Sequence, residues 1–153
     1  MDSVENKLDK LGLSLPDSPS PVANYVPVVN TAVGFVYTSG QIPKRSDGSL
    51  ITGKLGENLT VDDGYEAAKL TTLSLLSSLK QEIGNLERIK RIVKLLCMVN
   101  CTPDFDQQPH VANGSSDLLV ELFGEKGRHA RSAVGVVSLP MNVCVEIELI
   151  IEV

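Results

Sequence analysis

The sequence predicts an α+β domain built on a single sheet, with two helices packed on one face of it. Three observations predict this. Two stretches carry apolar residues at helical spacing. Several shorter stretches are rich in β-branched and aliphatic residues at period two. The two kinds alternate in the order ββ-α-β-α-ββ, and helices set between groups of strands favour one sheet covered on one side.

Taken in order, residues 1–13 read as a short amphipathic helix with Val4, Leu8 and Leu11 at helical spacing. The proline-rich stretch Ser14–Pro21 then breaks regular structure, because its prolines fix φ and lack N–H donors. This divides the chain into an N-terminal helix and linker, 1–24, and a domain, 25–153. Tyr25–Thr31 and Val33–Ser39 read as two strands around a tight turn. A long Gly-rich polar loop follows, up to Asn58. Thr60 is placed as an N-cap with Asp62 and Asp63 in the first turn, opening a helix to about Ile83. Leu70, Leu73, Leu76, Leu79 and Ile83 form its apolar stripe, and Gly84-Asn85 ends it. Ile89–Cys101 reads as a buried strand and Pro109–Phe123 as the second helix. Ser132–Leu139 and Cys144–Val153 are the closing strands. In the last, the odd-numbered side (Val145, Ile147, Leu149, Ile151, Val153) is purely apolar. The even-numbered side mixes Glu146, Glu148 and Glu152 with Cys144 and Ile150, as suits a face meeting water or another subunit.

The chain has 153 residues, enough for one sizeable core, with ordinary hydrophobic and charged fractions of 42% and 22%. A formal net charge of -5 makes nucleic acid an unlikely partner. No apolar run is long enough to span a bilayer, so no membrane is expected. The acidic N-terminus lacks both an apolar signal segment and arginine. Cys97, Cys101 and Cys144 all sit in apolar runs, where buried thiols are the ordinary reading. Together these features predict a cytoplasmic protein. The two histidines, His110 and His129, show no ligand spacing and read as surface residues, so no metal is expected, and with no phosphate loop or dinucleotide fingerprint no organic cofactor is expected either.

A few residues suit chemistry. Arg131, at the entrance to a strand, could clamp a carboxylate through two parallel N–H···O bonds, or simply pair with a neighbouring acid. Glu146, between Val145 and Ile147, could be a buried carboxyl fit for acid–base work, or an interface carboxylate. Glu148 shares its face, and the sequence does not separate the two. Ser39 and Gly40 end a strand where a ligand could approach the backbone, or where the chain simply turns. Asn113 lies in the second helix and could offer its amide to a ligand or to solvent.

Read together, the segments YTSGQIP (37–43), VNCTPDF (99–105), VANGSSDLLVELFG (111–124), RHARSAVGVVSLP (128–140) and VEIELIIEV (145–153) make the chain similar to the YjgF/RidA family, as a divergent branch of it. The resemblance implies a chorismate-mutase-like fold and a homotrimer whose sheets form a barrel, with sites between subunits. It implies an imine/enamine deaminase acting on small carboxylate-bearing substrates. Arg131 would bind the carboxylate and Glu146 would position water or relay protons. Tyr25, Ser39, Gly40 and Asn113 would line the pocket. Ala133 stands where many relatives have cysteine, which removes thiol chemistry there, and Gly135 would leave the pocket wall bare. Two other readings stay open: a non-catalytic carboxylate-binding or chaperone-like module using the same cleft, and, less favoured by the acidic chain, a ribonuclease.

Overall fold

The computed structural model describes residues 2–20 and 23–153. Pro21, the last proline of the linker stretch, lies outside the described residues, as do Met1 and Val22. Helices α1 (Val4–Lys10), α2 (Val61–Ile83) and α3 (Gln108–Phe123) accompany strands β1 (Val28–Asn30), β2 (Phe35–Thr38), β3 (Arg91–Asn100), β4 (Ala130–Val136) and β5 (Val145–Glu152). The strands form one mixed sheet in the order β1-β2-β5-β3-β4. After α1, the chain order is the expected ββ-α-β-α-ββ. Strands β3 and β4 pair in parallel and every other pair is antiparallel. The parallel pair requires a crossover, which α3 provides.

Strand β5 lies at the centre, bonded to β2 on one side and β3 on the other. Its odd-numbered side chains are buried beneath the helices, and its even-numbered ones are half-buried on the opposite face. The core joins them to Leu75, Leu76 and Leu79 of α2 and to Leu118, Leu119 and Leu122 of α3. Val4 and Leu8 of α1 belong to the same core, and the Val4 N–H donates to Glu87 Oε1 at 2.6 Å.

Helix α2 begins with the capping box that Thr60 suggested: Thr60 Oγ1 accepts from the Asp63 N–H, and the Asp63 carboxylate accepts from the Thr60 N–H. It ends at Gly84, whose φ is +83°. Helices α2 and α3 approach until backbone meets backbone. A Cβ built on Gly114 would stand 1.9 Å from the Tyr65 carbonyl oxygen. A buried bond from Thr72 to Ser115, 2.6 Å long, crosses the same interface.

Three strand boundaries differ from the sequence reading. Strand β1 starts at Val28 rather than Tyr25, because Pro27 has no N–H to give a ladder. Strand β2 starts at Phe35, after a turn in which the Thr31 hydroxyl bonds the Phe35 backbone and Gly34 takes φ +87°. Strand β4 runs over 130–136 rather than 132–139. Its partner among the described residues, β3, ends at Asn100 opposite Val136, and Arg131 therefore lies inside the strand. The Gly-rich loop is pinned by buried Asn100, whose amide donates to Gly53 O and Val143 O while Lys54 Nζ donates to its carbonyl. No helix among the described residues is long and apolar enough to cross a membrane.

Gly114→Ala should therefore force α2 and α3 apart and destabilise the chain by about 3 kcal/mol through overpacking. Urea denaturation checks this. A change of less than about 0.5 kcal/mol would mean that the helices yield without cost.

Candidate functional site

Strand pairing decides which face each candidate occupies. Arg131 is opposite Leu95, which is opposite Leu149, and both leucines are buried beneath the helices. Arg131 therefore points to the helix face, and its Nη1 donates to Asn113 Oδ1 at 2.8 Å and to Ser116 Oγ at 3.1 Å on α3. Glu146 is opposite Met98, which is opposite Val134, on the other face. Two strand spacings and three residues separate Arg131 from Glu146, about 14 Å between Cα atoms. Within one chain the two expected catalytic residues are not brought together.

Instead the candidates fall into two groups. The first consists of Arg131, Asn113 and Ala133 on the helix face of β4. Asn113 is not a solvent-facing helix residue, since Arg131 occupies its carbonyl oxygen. The ion pairs among the described residues are Lys10–Asp2 and Lys80–Glu5, so Arg131 is tied only to neutral acceptors. Strand β4 is also an open edge of the sheet. The Cys101 N–H donates to Val136 O, which turns the backbone groups of Val136, Val134 and Ser132 toward β3. The alternating residues Arg131, Ala133 and Gly135 turn their N–H and C=O groups to the open side. The space beside Gly135 is not bare, because a Cβ there would meet Cys101 Sγ at 2.8 Å and Gln108 Nε2 at 2.9 Å.

The second group gathers Tyr25, Ser39, Gly40 and Glu146 at the opposite edge of β5. Strand β2 pairs Tyr37 with Ile150, and Gln41 then pairs with Ile147. Four steps on one strand against three on the other leave one extra residue between Thr38 and Gly40, a bulge. The Thr38 hydroxyl fills the gap by accepting from the Leu149 N–H at 2.9 Å. The bulge carries Gly40 against the Glu146 carboxyl, so that a Cβ on Gly40 would lie 2.1 Å from Glu146 Oε1. Ser39 Oγ donates to Val26 O at 2.7 Å, which holds the segment bearing the exposed Tyr25 beside it. Burial pushes the Glu146 carboxyl above its ordinary value, and the neighbouring Glu148 carboxylate adds to this.

Two residues bonded to the first group, Ser116 and His129, escaped the sequence reading. His129 is half-buried rather than a surface residue, with Nδ1 2.6 Å from Gly127 O and Nε2 2.9 Å from Ser116 Oγ. Burial holds its pKa below the ordinary value, with the Gly127 carbonyl opposing and the Arg131 charge adding a smaller push downward. The available signal was spacing. Ser116 follows Asn113 by three residues on a helix, and His129 precedes Arg131 by two in the extended residues that lead into β4, so each shares a face with a residue already singled out. A cleft of about 480 Å³ opens at this point, lined by Ser116, Val120, Glu121, Arg128, His129 and Arg131.

Thiol chemistry finds no support here. Burial pushes Cys97 up to about 12 and Cys144 up to about 11, and all three cysteines are free and buried. Among the described residues no group of three or more His, Cys, Asp or Glu side chains could hold a metal ion.

Comparison with known proteins agrees with this architecture. The family described as "YjgF/chorismate mutase-like, putative endoribonuclease" matches residues 5–153. The chain is 44% identical to Protein TCP17 of Trypanosoma cruzi over 150 residues, covering 97% of this chain and 93% of that protein. It is similar to a crystal structure of a protein of unknown function from Agrobacterium tumefaciens, with a TM-score of 0.91 and 40% identity over 99% of this chain and 94% of the other. A structure described as a "putative endoribonuclease" from Shewanella oneidensis matches with a TM-score of 0.94 and 37% identity, covering 99% of this chain and 100% of that one. With this fold, this sheet order and a family match over nearly the whole chain, the protein belongs to the YjgF/RidA, chorismate-mutase-like family.

Proposed function

We propose that this protein is a deaminase that hydrolyses small 2-imino acids, and the 2-aminoacrylate-type enamines that tautomerise to them, to 2-keto acids and ammonia. The observation that carries this reading is the state of Arg131. A structural arginine half-buried beside a helix ordinarily pairs with a carboxylate. Here its partners are a neutral amide and a neutral hydroxyl, so its positive charge is left for a ligand. The outward N–H of Ala133, two residues beyond on the open edge, suits the second anchor of a small carboxylate.

The remaining chemistry belongs to Glu146, which the fold places on the other side of the sheet. A site containing both residues needs Arg131 from one copy and the Gly40–Glu146 group from another. The sheet face that bears Glu146 supports such an assembly. Phe35, Tyr37 and Val134 on it are 37%, 45% and 42% exposed, an apolar surface that a second copy would cover. We therefore assign the homotrimer of the YjgF/RidA resemblance to this chain.

In the cleft, the Glu146 carboxylate takes a proton from a water molecule as its oxygen attacks the imine carbon. Glu146 passes this proton to the imine nitrogen to give a carbinolamine, then relays the adduct's hydroxyl proton to the amino nitrogen as the C–N bond breaks, so that the keto acid forms and ammonia leaves. The Gly40 segment lies against the carboxyl, an approach that a side chain at this position would block. Orientation and charge stabilisation are sufficient for such a step, because the imine already hydrolyses in water.

Three outcomes are expected. With imines generated in situ by an amino-acid oxidase, Arg131→Ala should lower kcat/KM by roughly 100-fold or more, the loss of a two-point charged contact. Glu146→Gln should lower kcat more than it weakens binding of a keto acid. Ammonia release unchanged in both variants would sink the deaminase, and binding without turnover in the wild type would leave a carboxylate-binding module. In sedimentation velocity at micromolar concentration the chain should run as a trimer, whereas a monomer would refute the shared cleft. The third outcome concerns stability. A carboxyl whose folded pKa is raised contributes stability that is full below its ordinary value of 4.5 and is lost as pH rises through the folded pKa. Glu146→Gln should therefore raise Tm at pH 7 and leave it unchanged at pH 4, and an equal gain at both would mean that charge is not the cause.

A further inference from the structure

Arg131 is held by an arrangement with a defined direction. The Gly127 carbonyl can only accept, so His129 Nδ1 carries a proton and donates it there across 2.6 Å. In the neutral ring, Nε2 then bears the lone pair. The Ser116 hydroxyl, 2.9 Å away, must be the donor to Nε2. With its proton committed to His129, the Ser116 oxygen presents lone pairs to Arg131 and accepts from Nη1 at 3.1 Å. The second N–H of Nη1 goes to Asn113 Oδ1 at 2.8 Å.

Nη1 has two N–H groups, and both are now assigned. The three that remain lie on Nη2 and Nε, and the Nε–Nη2 edge carries two of them in the parallel geometry that matches a carboxylate. We propose that Ser116 and His129 are positioning residues that fix the rotation of the Arg131 guanidinium, so that its Nε–Nη2 edge is the one offered to a substrate carboxylate. The inference rests on the carboxylate-binding role proposed for Arg131 and deepens it.

The carboxylates on α3 that line the same cleft do not capture the guanidinium. Asp117 accepts from the Tyr65 hydroxyl at 2.9 Å and Glu121 stands exposed, and neither forms an ion pair with Arg131. Burial lowers the His129 pKa, which favours the neutral ring this arrangement needs. Without the His129 acceptor, the Ser116 hydroxyl could turn its proton toward Arg131 and repel Nη1. Asn113 alone would then leave the guanidinium plane able to swing.

The test uses calorimetry with pyruvate as the smallest 2-keto acid probe, and 15N NMR of histidine-labelled protein. Wild type should bind pyruvate and Arg131→Ala should not. Ser116→Ala and His129→Ala should each weaken binding by about tenfold, while His129→Gln, whose Oε1 can accept the Ser116 hydroxyl, should come back to within about threefold of wild type. Ser116→Ala removes one oxygen only, so it carries the test even if His129→Ala does not fold. The His129 nitrogen shifts should report the Nδ1–H tautomer. Pyruvate affinity unchanged in Ser116→Ala, or an Nε2–H tautomer, overturns the positioning role and leaves the carboxylate-binding role of Arg131 standing. If wild type and Arg131→Ala bind pyruvate equally or not at all, the carboxylate-binding role fails, and this inference with it.

Discussion

The alternation of β5 is the constraint on which the rest of the molecule depends. The strand is bonded along both edges, so it cannot shift by one residue without exchanging its faces. Val145, Ile147, Leu149 and Ile151 are buried beneath α2 and its neighbours, and such a shift would expose all four to water. Holding them fixed also fixes Glu146 and Glu148 on the opposite face. The position of the candidate acid–base carboxyl is thus a by-product of core packing, and its raised pKa follows from being half-buried beside a second carboxylate.

The same strict alternation acts on β4, with the opposite result for its functional side chain. Parallel pairing with β3 places Arg131 in register with Leu95, and Leu95 belongs to the core. A charged side chain on the helix face must then find partners or leave. Asn113 and Ser116 lie one helical turn apart on α3 and offer two acceptors to one nitrogen. Because both are neutral, they satisfy its hydrogen-bonding needs without cancelling its charge. An aspartate in place of Asn113 would hold the guanidinium more strongly and leave less of its field for a ligand.

Small residues set the local geometry at both ends of this scheme. Gly114 allows the backbone of α3 to reach the Tyr65 carbonyl, within the same helix segment whose Asn113 and Ser116 accept from Arg131. Gly40, carried by a one-residue bulge, lets the β2 segment close on the Glu146 carboxyl. Neither close approach would survive a side chain without a shift, in the first case of backbone and in the second of the carboxyl itself.

The sequence by itself determined the order of elements, the two core helices, the capping of α2 at Thr60, the two faces of β5 and the family. These are read from period, spacing and local backbone chemistry, all of which are written in neighbouring residues. It also singled out Arg131, Glu146, Gly40 and Asn113. The tertiary structure alone decided that Arg131 and Glu146 sit on opposite faces about 14 Å apart, since this depends on which strands pair and in what register. It alone showed Asn113 turned inward and His129 half-buried with Ser116 and Gly127. The bonds of Arg131 to Asn113 and of His129 to Ser116 join α3 to the residues at and before β4, and they depend on an approach of helix to strand that no local pattern encodes.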